Sequence, residues 1–339
     1  MTRPLVVAAL AVVFMVCQSP AAVISVPSDH PTIQQGIDAA GTGDTVLVAA
    51  GLYEETLLIG EKGDFALIGA GMDETTVDAG DKDRCLLIRN PNGATLIKGI
   101  QFTRGFATGE SGNGAGILAE SSYPVIESCR LALNESDNEG GGAQLTQCTS
   151  FTIRDCVFES NKAIAGSALT ILGGRGSVTG SRFLRNEGAV SVNLSFTGTQ
   201  FDNNLLAHNT CTDFGPIGCL VSLSGSVRNN TIAYNSGGAG SGAIIAQSGE
   251  NDIAGNIIAF NQDLFALQVA TLDNLIRIND NVLFENDGGD YTGTYGSPQD
   301  RHADPMFCDP NTDDFTLKAG SPCLENGRAV AGAYGKGCD

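Results

Sequence analysis

The chain has 339 residues, with 38 Asp and Glu against 19 Lys and Arg, which gives a formal net charge of −19 at pH 7. This charge argues against nucleic acid and anionic lipid as partners, because both need a basic footprint. It also disfavours tight binding of an acidic polysaccharide unless Ca²⁺ bridges the charges. Forty-four glycines, no tryptophan and many short apolar runs between Gly and Asn indicate many short strands with tight turns rather than an ordinary helical enzyme.

Residues 1–21 are predicted to be a secretory signal. Arg3 precedes an apolar run from Leu5 to Val16, which is too short to span a bilayer, and Ser19 and Ala21 supply the small residues of a cleavage site. A lipid anchor through Cys17 is the alternative. No later segment resembles a membrane span. We therefore expect a secreted, extracellular or periplasmic protein; the sequence does not indicate its oligomeric state.

Nine cysteines remain after Cys17, and disulfides persist in exported proteins. Cys211 and Cys219 bracket a loop that a disulfide can staple. Cys308, Cys323 and Cys338 lie near the C-terminus, where a bridge would pin a terminal segment. The number is odd, so at least one thiol is free or pairs elsewhere.

The first predicted element of the mature chain is a helix within Pro31–Ala40. It places Ile33, Ile37 and Ala40 on one face, which would cover the open end of a stack of strands. Strands follow at Thr45–Ala49 and Phe65–Gly69.

A tight Gly-containing turn then carries Asp78, Asp81 and Asp83, whose spacing can place oxygens around Ca²⁺. A solvated loop is the alternative. No cofactor is otherwise indicated.

From residue 129 onward a six-residue unit repeats seven times. The units start 27, 25, 23, 26, 26 and 25 residues apart. Each ends in Asn, has a large apolar residue in third place, and follows a second apolar position three residues before its start. The unit starts are Cys129, Cys156, Ser181, Asn204, Asn230, Asn256 and Asn281.

Such a unit cannot bury its own apolar face, so we predict an all-β, single-stranded right-handed parallel β-helix over residues 22–301, including the N-terminal helix cap. Asn is expected in the turns because it tolerates left-handed backbone and can pass hydrogen bonds between coils. The starting asparagines would form one ladder. Cys129 and Cys156 would stack as neighbours, either as a disulfide or as two thiols.

Another strand of each coil follows a glycine, and its outward positions carry small uncharged side chains. These amides and hydroxyls can bind a neutral glycan, or form a merely hydrated sheet. The candidate substrate-binding residues are Gln144, Thr170, Ser191, Asn193, Ser222 and Gln268.

Arg185, His208 and Tyr234 occupy the fifth place in three successive units, so they should stack along one turn. A cation, an imidazole and a phenol can bind or deprotonate a sugar, which makes them candidate catalytic residues. Ordinary surface variation is the alternative. Residues 302–339 lose the repeat and are expected to close the C-terminal end.

Two regions resemble known families. Residues 26–40, with Gly43–Val48 and Gly51–Glu55, are similar to the first coil of pectin lyase-like β-helix proteins, and the Asn-ending units resemble NosD-type repeats. Residues 304–323 resemble the end segment of bacterial surface β-helix proteins. The resemblance covers nearly all of the mature chain and implies the fold far better than the activity.

Catalytic motifs of the pectin-active relatives are missing. Asp213-Phe-Gly is at most a fragment of the methylesterase motif, and the polygalacturonase and alginate-epimerase motifs are absent. The favoured function is therefore a non-catalytic extracellular or surface protein that binds carbohydrate or another surface partner. The alternatives are a polysaccharide lyase, hydrolase or epimerase with an unrecognised site and, weakest, a NosD-like metal-handling protein.

Overall fold

The computed structural model describes residues 21–109, 112–195, 198–213, 217–269, 275–294 and 296–339, and the side chains of all of these except residues 217–224 and 248. All but the last residue of the predicted signal lie outside these ranges. The described chain winds into about ten coils of parallel strands that form three long sheets, called here sheets I, II and III.

An amphipathic helix covers the first coil. It spans Ile33–Ala39, and the hydroxyl of Thr32 accepts a hydrogen bond from the Gln35 amide at 3.2 Å as the N-cap. Ile33 and Ile37 are fully buried, so the predicted helical cap is confirmed. No helix in the described ranges has the length and apolar character that crossing a membrane requires.

Sheet I contains the glycine-led strands. They are Leu57–Ile59, Leu86–Ile88, Ile117–Glu120, Ala143–Thr146, Leu169–Leu172, Val192–Ser195, Gln262–Val269 and Gly289–Thr292, with parts of Ile217–Arg228 and Ser236–Ala254. The last two strands are long because each continues through the corner into sheet II. Neighbouring strands pair in parallel, as Ala143 with Leu169 illustrates.

Sheet II follows sheet I along each coil. Its strands are Val23–Val26, Thr45–Val48, Phe65–Gly69, Ala94–Lys98, Tyr123–Glu127, Ser150–Arg154, Arg175–Thr179, Gly198–Asp202, the ends of Ile217–Arg228 and Ser236–Ala254, and Arg277–Asn279. Its outward side chains form straight columns from coil to coil, because parallel pairing in register puts equivalent positions about 4.8 Å apart.

Sheet III has ten strands and carries the repeat unit. The strands are Gly51–Tyr53, Thr75–Asp78, Gln101–Thr103, Arg130–Ala132, Val157–Glu159, Arg182–Leu184, Leu205–Ala207, Thr231–Ala233, Ile257–Ala259 and Val282–Phe284. A narrow strip between sheets III and I adds Phe106–Ala107, Glu135–Ser136, Glu187–Gly188 and Thr210–Cys211.

The two predicted apolar columns form the core. The third residue of every unit is at most 1% exposed: Leu131, Phe158, Phe183, Leu206, Ile232, Ile258 and Leu283. The column that precedes the units is at most 1% exposed from Ile126 to Ile253, and its last member, Ile278, is partly buried against the core. Each coil thus buries the residues of these two columns against its neighbours, as a solenoid does.

The left-handed residue of each unit is the fifth one, not the Asn. Positive φ angles of 45–58° occur at Leu133, Ser160, Arg185, His208, Tyr234, Phe260 and Glu285. The prediction that Asn provides the left-handed conformation in these units was therefore wrong. Asn is needed instead because the following position turns inward, where buried backbone groups require a hydrogen-bonding partner.

The Asn side chains form two continuous hydrogen-bonded ladders. In the first, Asn161 accepts from the backbone and side-chain nitrogens of Asn134 at 3.1 and 3.0 Å and donates to the Leu131 carbonyl at 2.9 Å. The same pattern continues through Asn186, Asn209, Asn235, Asn261 and Asn286. Each Asn therefore satisfies backbone groups that the coil buries.

The second ladder is the predicted one through the starting asparagines. It runs through Asn204, Asn230, Asn256 and Asn281 and ends at Asp300, whose carboxylate accepts from the Asn281 amide nitrogens at 2.7 and 3.1 Å. The adjoining Cys129 and Cys156 are buried free thiols and do not form a disulfide with each other.

Residues beyond the last coil form a small separate layer. Its strands are Phe307–Asp309, Asp314–Lys318, Leu324–Glu325, Arg328–Ala329 and Lys336–Cys338, with a 3₁₀ turn at Pro310–Thr312. A disulfide joins Cys308 to Cys338, which confirms that a bridge pins the terminal segment. Cys323 and Cys211 are buried free thiols, and the side chain of Cys219 lies outside those described.

Candidate functional site

The predicted glycan-binding face of sheet I is mostly covered. Gln144 is 4% exposed, and Thr170 and Ser191 are fully buried. A Cβ on Gly140 would lie 2.6 Å from Cβ of Gln144, which shows how closely the preceding loop crosses this side chain. Gln144, Thr170 and Ser191 therefore cannot form the open surface that the sequence suggested.

The glycine that precedes each of these strands by a few residues explains the cover. Gly140 and Gly166 have φ of +68° and +57°, a conformation that a side chain disfavours. A Cβ on Gly166 would lie 1.9 Å from Oγ1 of Thr170. Glycine thus lets the loop fold back over the outward residue four positions later. The glycines that precede these strands therefore also allow the loops to cover the outer face of sheet I.

The remaining sheet I candidates are less buried but make internal hydrogen bonds. Asn193 Oδ1 accepts from the Ser195 hydroxyl at 2.8 Å, and Gln268 Oε1 accepts from the Gly242 amide at 3.1 Å. The side chain of Ser222 lies outside those described. These contacts favour a structural role for Asn193 and Gln268.

Arg185, His208 and Tyr234 do stack along one turn, as their spacing predicts. The rings of His208 and Tyr234 have centroids 5.7 Å apart at an interplanar angle of 28°. Phe315 of the C-terminal segment lies over both rings, at 5.8 and 6.2 Å. Arg185 donates to Asp313 Oδ2 at 2.6 Å. These surroundings favour an anchoring role for the three residues, and their catalytic role stays a prediction.

The C-terminal segment lies along the side of the solenoid. Phe307, Phe315, Leu317, Cys323 and Ala331 pack against an apolar stripe on the outer face of sheet III, which comprises Leu184, Leu205, Ala207, Ala233, Ile257, Ala259 and Val282. We expected residues 302–339 to close the C-terminal end. The described contacts instead place them across five coils, because the outward residues of sheet III become apolar there.

Two of the three aspartates considered for Ca²⁺ have hydrogen-bond partners within the protein. Asp78 is 9% exposed, and its two oxygens accept from Nε of Arg104 at 2.8 and 3.0 Å. Asp83 accepts from the Arg84 amide at 2.7 Å. The described part of the chain contains no group of three or more His, Cys, Asp or Glu side chains placed to hold a metal ion. The Ca²⁺ site stays a prediction, and Asp78 has a guanidinium as its partner.

A polar groove of about 380 Å³ lies on the outer face of sheet II. It crosses five consecutive strands, from Arg175–Thr179 to Arg277–Asn279. We call it the sheet II groove and define it by its lining residues: Arg175, Gly198, Gln200, Gly225, Ser226, Arg228, Glu250, Asn251, Asp252, Leu275 and Arg277.

A second depression of about 420 Å³ adjoins the groove and shares Arg228 and Asp252 with it. It continues towards the C-terminal segment, where Arg301 and Val330 form part of its wall. The two concavities together give the solenoid an extended polar channel on one side.

Charged side chains of both signs line the groove. Arg228 forms an ion pair with Asp252 in the next coil, which raises the pKa of the Arg228 guanidinium. Beside it, Asp202 accepts from the Ser226 hydroxyl at 3.0 Å and the Arg228 amide at 3.0 Å. Burial nevertheless raises the pKa of Asp202.

The sequence analysis missed this groove because, among the strands, it sought outward-facing binding residues only in the glycine-led ones. The period-two alternation that identifies outward positions applies equally to the strand preceding each repeat unit. There it selects Arg175, Gln200, Asp252 and Arg277, which are long or charged rather than small. The register places them on one face.

Comparisons with known proteins agree with this architecture. Residues 85–206 match the family model described as right handed beta helix region. An alginate lyase from Paenibacillus sp. str. FPU-7 is similar at a TM-score of 0.50 and 10% identity, covering 83% of this chain and 99% of the lyase. A pectin methylesterase from Aspergillus niger has a TM-score of 0.42 and 13% identity, covering 85% of this chain and 92% of the esterase. No curated protein matches the sequence.

The coils, the family match over residues 85–206 and the likeness to the lyase define the fold as a right-handed parallel β-helix. Polysaccharide-active enzymes share this fold, so it specifies an architecture rather than a reaction.

Proposed function

We propose that this protein is an exported, non-catalytic β-helix protein that binds a polysaccharide chain in the sheet II groove. The observation that carries the proposal is the groove itself, which is open, polar and extended across five coils. A linear polymer needs such a surface, because each coil adds a further set of contacts about 4.8 Å along the axis.

The lining of the groove suits sugar recognition. Gln200 is exposed, Ser226 is partly exposed, and Glu250 and Arg277 supply acceptors and donors for sugar hydroxyls. Leu275, at 49% exposure, offers an apolar surface for the C–H face of a sugar ring. A few polar groups around an apolar contact are typical of ligand sites.

The proposal is tested by affinity electrophoresis of the mature protein in gels that contain a panel of neutral and acidic polysaccharides. Gln200→Trp would fill the groove and is expected to weaken retardation at least tenfold. Gln262→Trp is the matched control, since Gln262 is exposed in the strand Gln262–Val269 outside the groove. Equal retardation of both variants, or no retardation of the unmodified protein by any polymer, would contradict the proposal.

A second candidate function is a polysaccharide hydrolase, and one observation favours it. Asp202 has a raised pKa and lies next to the Arg228–Asp252 ion pair, and glycoside hydrolysis uses two neighbouring carboxyl groups, one of which has a raised pKa. Against it, Asp202 does not itself line the groove. Release of shortened sugars that Asp202→Asn abolishes, with binding retained, would establish the hydrolase over the non-catalytic function.

A further inference from the structure

The depression beside the sheet II groove lies between two parts of the molecule. On the solenoid it is lined by the turn from sheet II to sheet III, where Asn229, Gly255 and Asp280 occupy equivalent places in three successive coils. Val330 of the C-terminal segment forms another part of its wall. The depression is therefore a cleft between the solenoid and the C-terminal segment, and we call it the segment cleft.

Two hydrogen bonds attach the C-terminal segment to the solenoid beside this cleft. The Gly332 amide donates to the Gly255 carbonyl at 2.8 Å. The Ala333 amide donates to Oγ1 of Thr231 at 3.0 Å. Val330 lies only two residues before Gly332, so its place in the wall depends on these contacts.

Glycine at position 332 lets the segment approach the coil this closely. A Cβ there would lie 2.4 Å from Cδ1 of Ile257, a side chain that is itself 1% exposed. The preceding residue, Ala331, is 2% exposed and packs in the apolar cluster on the outer face of sheet III. Val330 is therefore fixed in the cleft only while the C-terminal segment is docked.

The segment cleft is continuous with the sheet II groove. Arg228 and Asp252 line both concavities and pair with each other at the boundary. Beyond them the lining includes Asn279 and Arg301, whose amide and guanidinium groups can hydrogen-bond to sugar hydroxyls. Arg301 also contacts the C-terminal segment, since its Nη1 donates to the Pro322 carbonyl at 3.0 Å. Sugar residues that extend sideways from the groove, across the strands, thus reach the segment.

We propose that the C-terminal segment is a part of the binding site that controls its affinity. Sugar residues that extend from the sheet II groove into the segment cleft contact Val330 and the solenoid together, so ligand binding and docking of the segment stabilise each other. This inference rests on the proposed function and adds the regulation of the same site. Such coupling is reciprocal: the factor by which docking tightens binding is also the factor by which bound polymer suppresses opening of the segment.

Cys323 provides a direct readout of docking. Its free thiol is fully buried in the apolar cluster that joins the segment to sheet III. Burial also raises the pKa of the Cys323 thiol to about 11. Since alkylation needs an accessible thiolate, iodoacetamide labels Cys323 only when the segment opens. Peptide mass spectrometry measures this rate separately from labelling at the other cysteines.

The first test uses Gly332→Ala, which pushes the segment away from the coil and leaves the sheet II groove intact. The probe is the polymer that retards the unmodified protein most, from a panel that includes arabinoxylan, mannan and polygalacturonate. Gly332→Ala should weaken its binding at least about fivefold, the lower end of typical coupling, and should speed labelling of Cys323. Gly327→Ala is the matched control: Gly327 also has a positive φ, of +76°, but its Cβ would contact nothing within 4 Å.

Reciprocity gives a second readout, which a purely structural role of the segment would not produce. Saturating polymer should slow Cys323 labelling in the unmodified protein at least about fivefold. The same polymer concentration should leave the labelling rate unchanged in Gln200→Trp, where the groove is blocked. This comparison decides the question by itself if Gly332→Ala does not fold.

The outcomes separate the two proposals. If Gln200→Trp weakens binding but Gly332→Ala binds as tightly as Gly327→Ala, and polymer leaves Cys323 labelling unchanged, the inference is overturned and the proposed function stands. Weaker binding by Gly332→Ala without protection of Cys323 would give the segment a structural role only, and would also overturn the inference. If no polymer binds, or if Gln200→Trp has no effect, both proposals are overturned.

Discussion

Arg185 and Asp313 lie 128 residues apart in the sequence, and Nη2 of Arg185 donates to Oδ2 of Asp313 at 2.6 Å. The same guanidinium nitrogen donates to Glu159 Oε1 at 3.0 Å. The residue thus joins two successive coils of sheet III to the C-terminal segment. It was selected from the sequence as a candidate catalytic residue, and its observed partners explain its position without catalysis.

This contact should make docking of the segment depend on pH. The hydrogen bond from Arg185 lowers the pKa of Asp313 below its ordinary value of 3.8. A carboxyl whose pKa is lowered on folding stabilises the fold above its unfolded pKa and loses that contribution as the pH falls through the folded pKa. Asp313→Asn should therefore cost about 1 kcal/mol at pH 7 and nothing well below pH 3.8.

The measurement is the thermal unfolding midpoint of both proteins between pH 7 and pH 2. Asp309→Asn serves as the control, because Asp309 is exposed in the same segment. A deficit for Asp313→Asn that persists unchanged at low pH would show that the charge is not responsible.

Phe315 should be the main apolar anchor of the segment. It is 1% exposed and contacts Phe307 at a ring distance of 5.1 Å in addition to His208 and Tyr234. Truncating a buried phenylalanine to alanine typically costs about 3–5 kcal/mol of stability, which is about the most that one side chain contributes. Phe315→Ala should therefore release the segment locally, and trypsin should cleave within residues 318–336 many times faster. Leu133→Ala, at a 61% exposed position of the same turn column, should leave cleavage unchanged.

The ladder asparagines should be far more sensitive than other asparagines. Asn161→Ala removes the acceptor of two buried nitrogens of Asn134 and the donor to the Leu131 carbonyl. An unsatisfied buried group costs about 1–3 kcal/mol, so the loss should be at least about 3 kcal/mol. Denaturant titration measures it, with the exposed Asn92→Ala as control. Equal midpoints for the two variants would contradict a structural role for the ladder.

Thr170 offers a test of whether the outer face of sheet I takes part in binding. Its buried hydroxyl has no hydrogen-bond partner among the residues that the structure describes. Replacing an unpaired buried polar group by an apolar one of the same shape is neutral or stabilising. Thr170→Val should preserve both the unfolding midpoint and polysaccharide binding. Gly166→Ala should destabilise strongly, since its Cβ would lie 1.9 Å from Oγ1 of Thr170. Lost binding in a stable Thr170→Val protein would restore sheet I as the binding face.

The fold could be predicted from the sequence because its signal is repeated. Seven units with aligned apolar and Asn positions determine which residues face the core, and Leu131, Phe158 and Phe183 are all fully buried there. The N-terminal helix was predictable for the same reason, since Ile33 and Ile37 share a face. Sequence periodicity indicates which side chains point towards the core, and the stacking of coils depends on those core-facing residues.

The site could not be predicted because exposure depends on how loops fold over a sheet. Gln144 and Thr170 do point outward, yet loops starting at Gly140 and Gly166 cover them. Likewise, the spacing of His208 and Tyr234 predicts their stacking. It does not predict their contact with Phe315, which lies 81 residues after Tyr234 in the sequence. Contacts of this kind carry no periodic signal.

The central claim is that a polysaccharide binds in the sheet II groove, and the most direct test is hydrogen–deuterium exchange with and without the tightest-binding polymer of the panel. The account predicts slower amide exchange on binding in Gly198–Asp202, in 225–228 and in Arg277–Asn279, with sheet I strands such as Ala143–Thr146 unchanged. Protection confined to the loops over sheet I, or to residues 302–339, would contradict it.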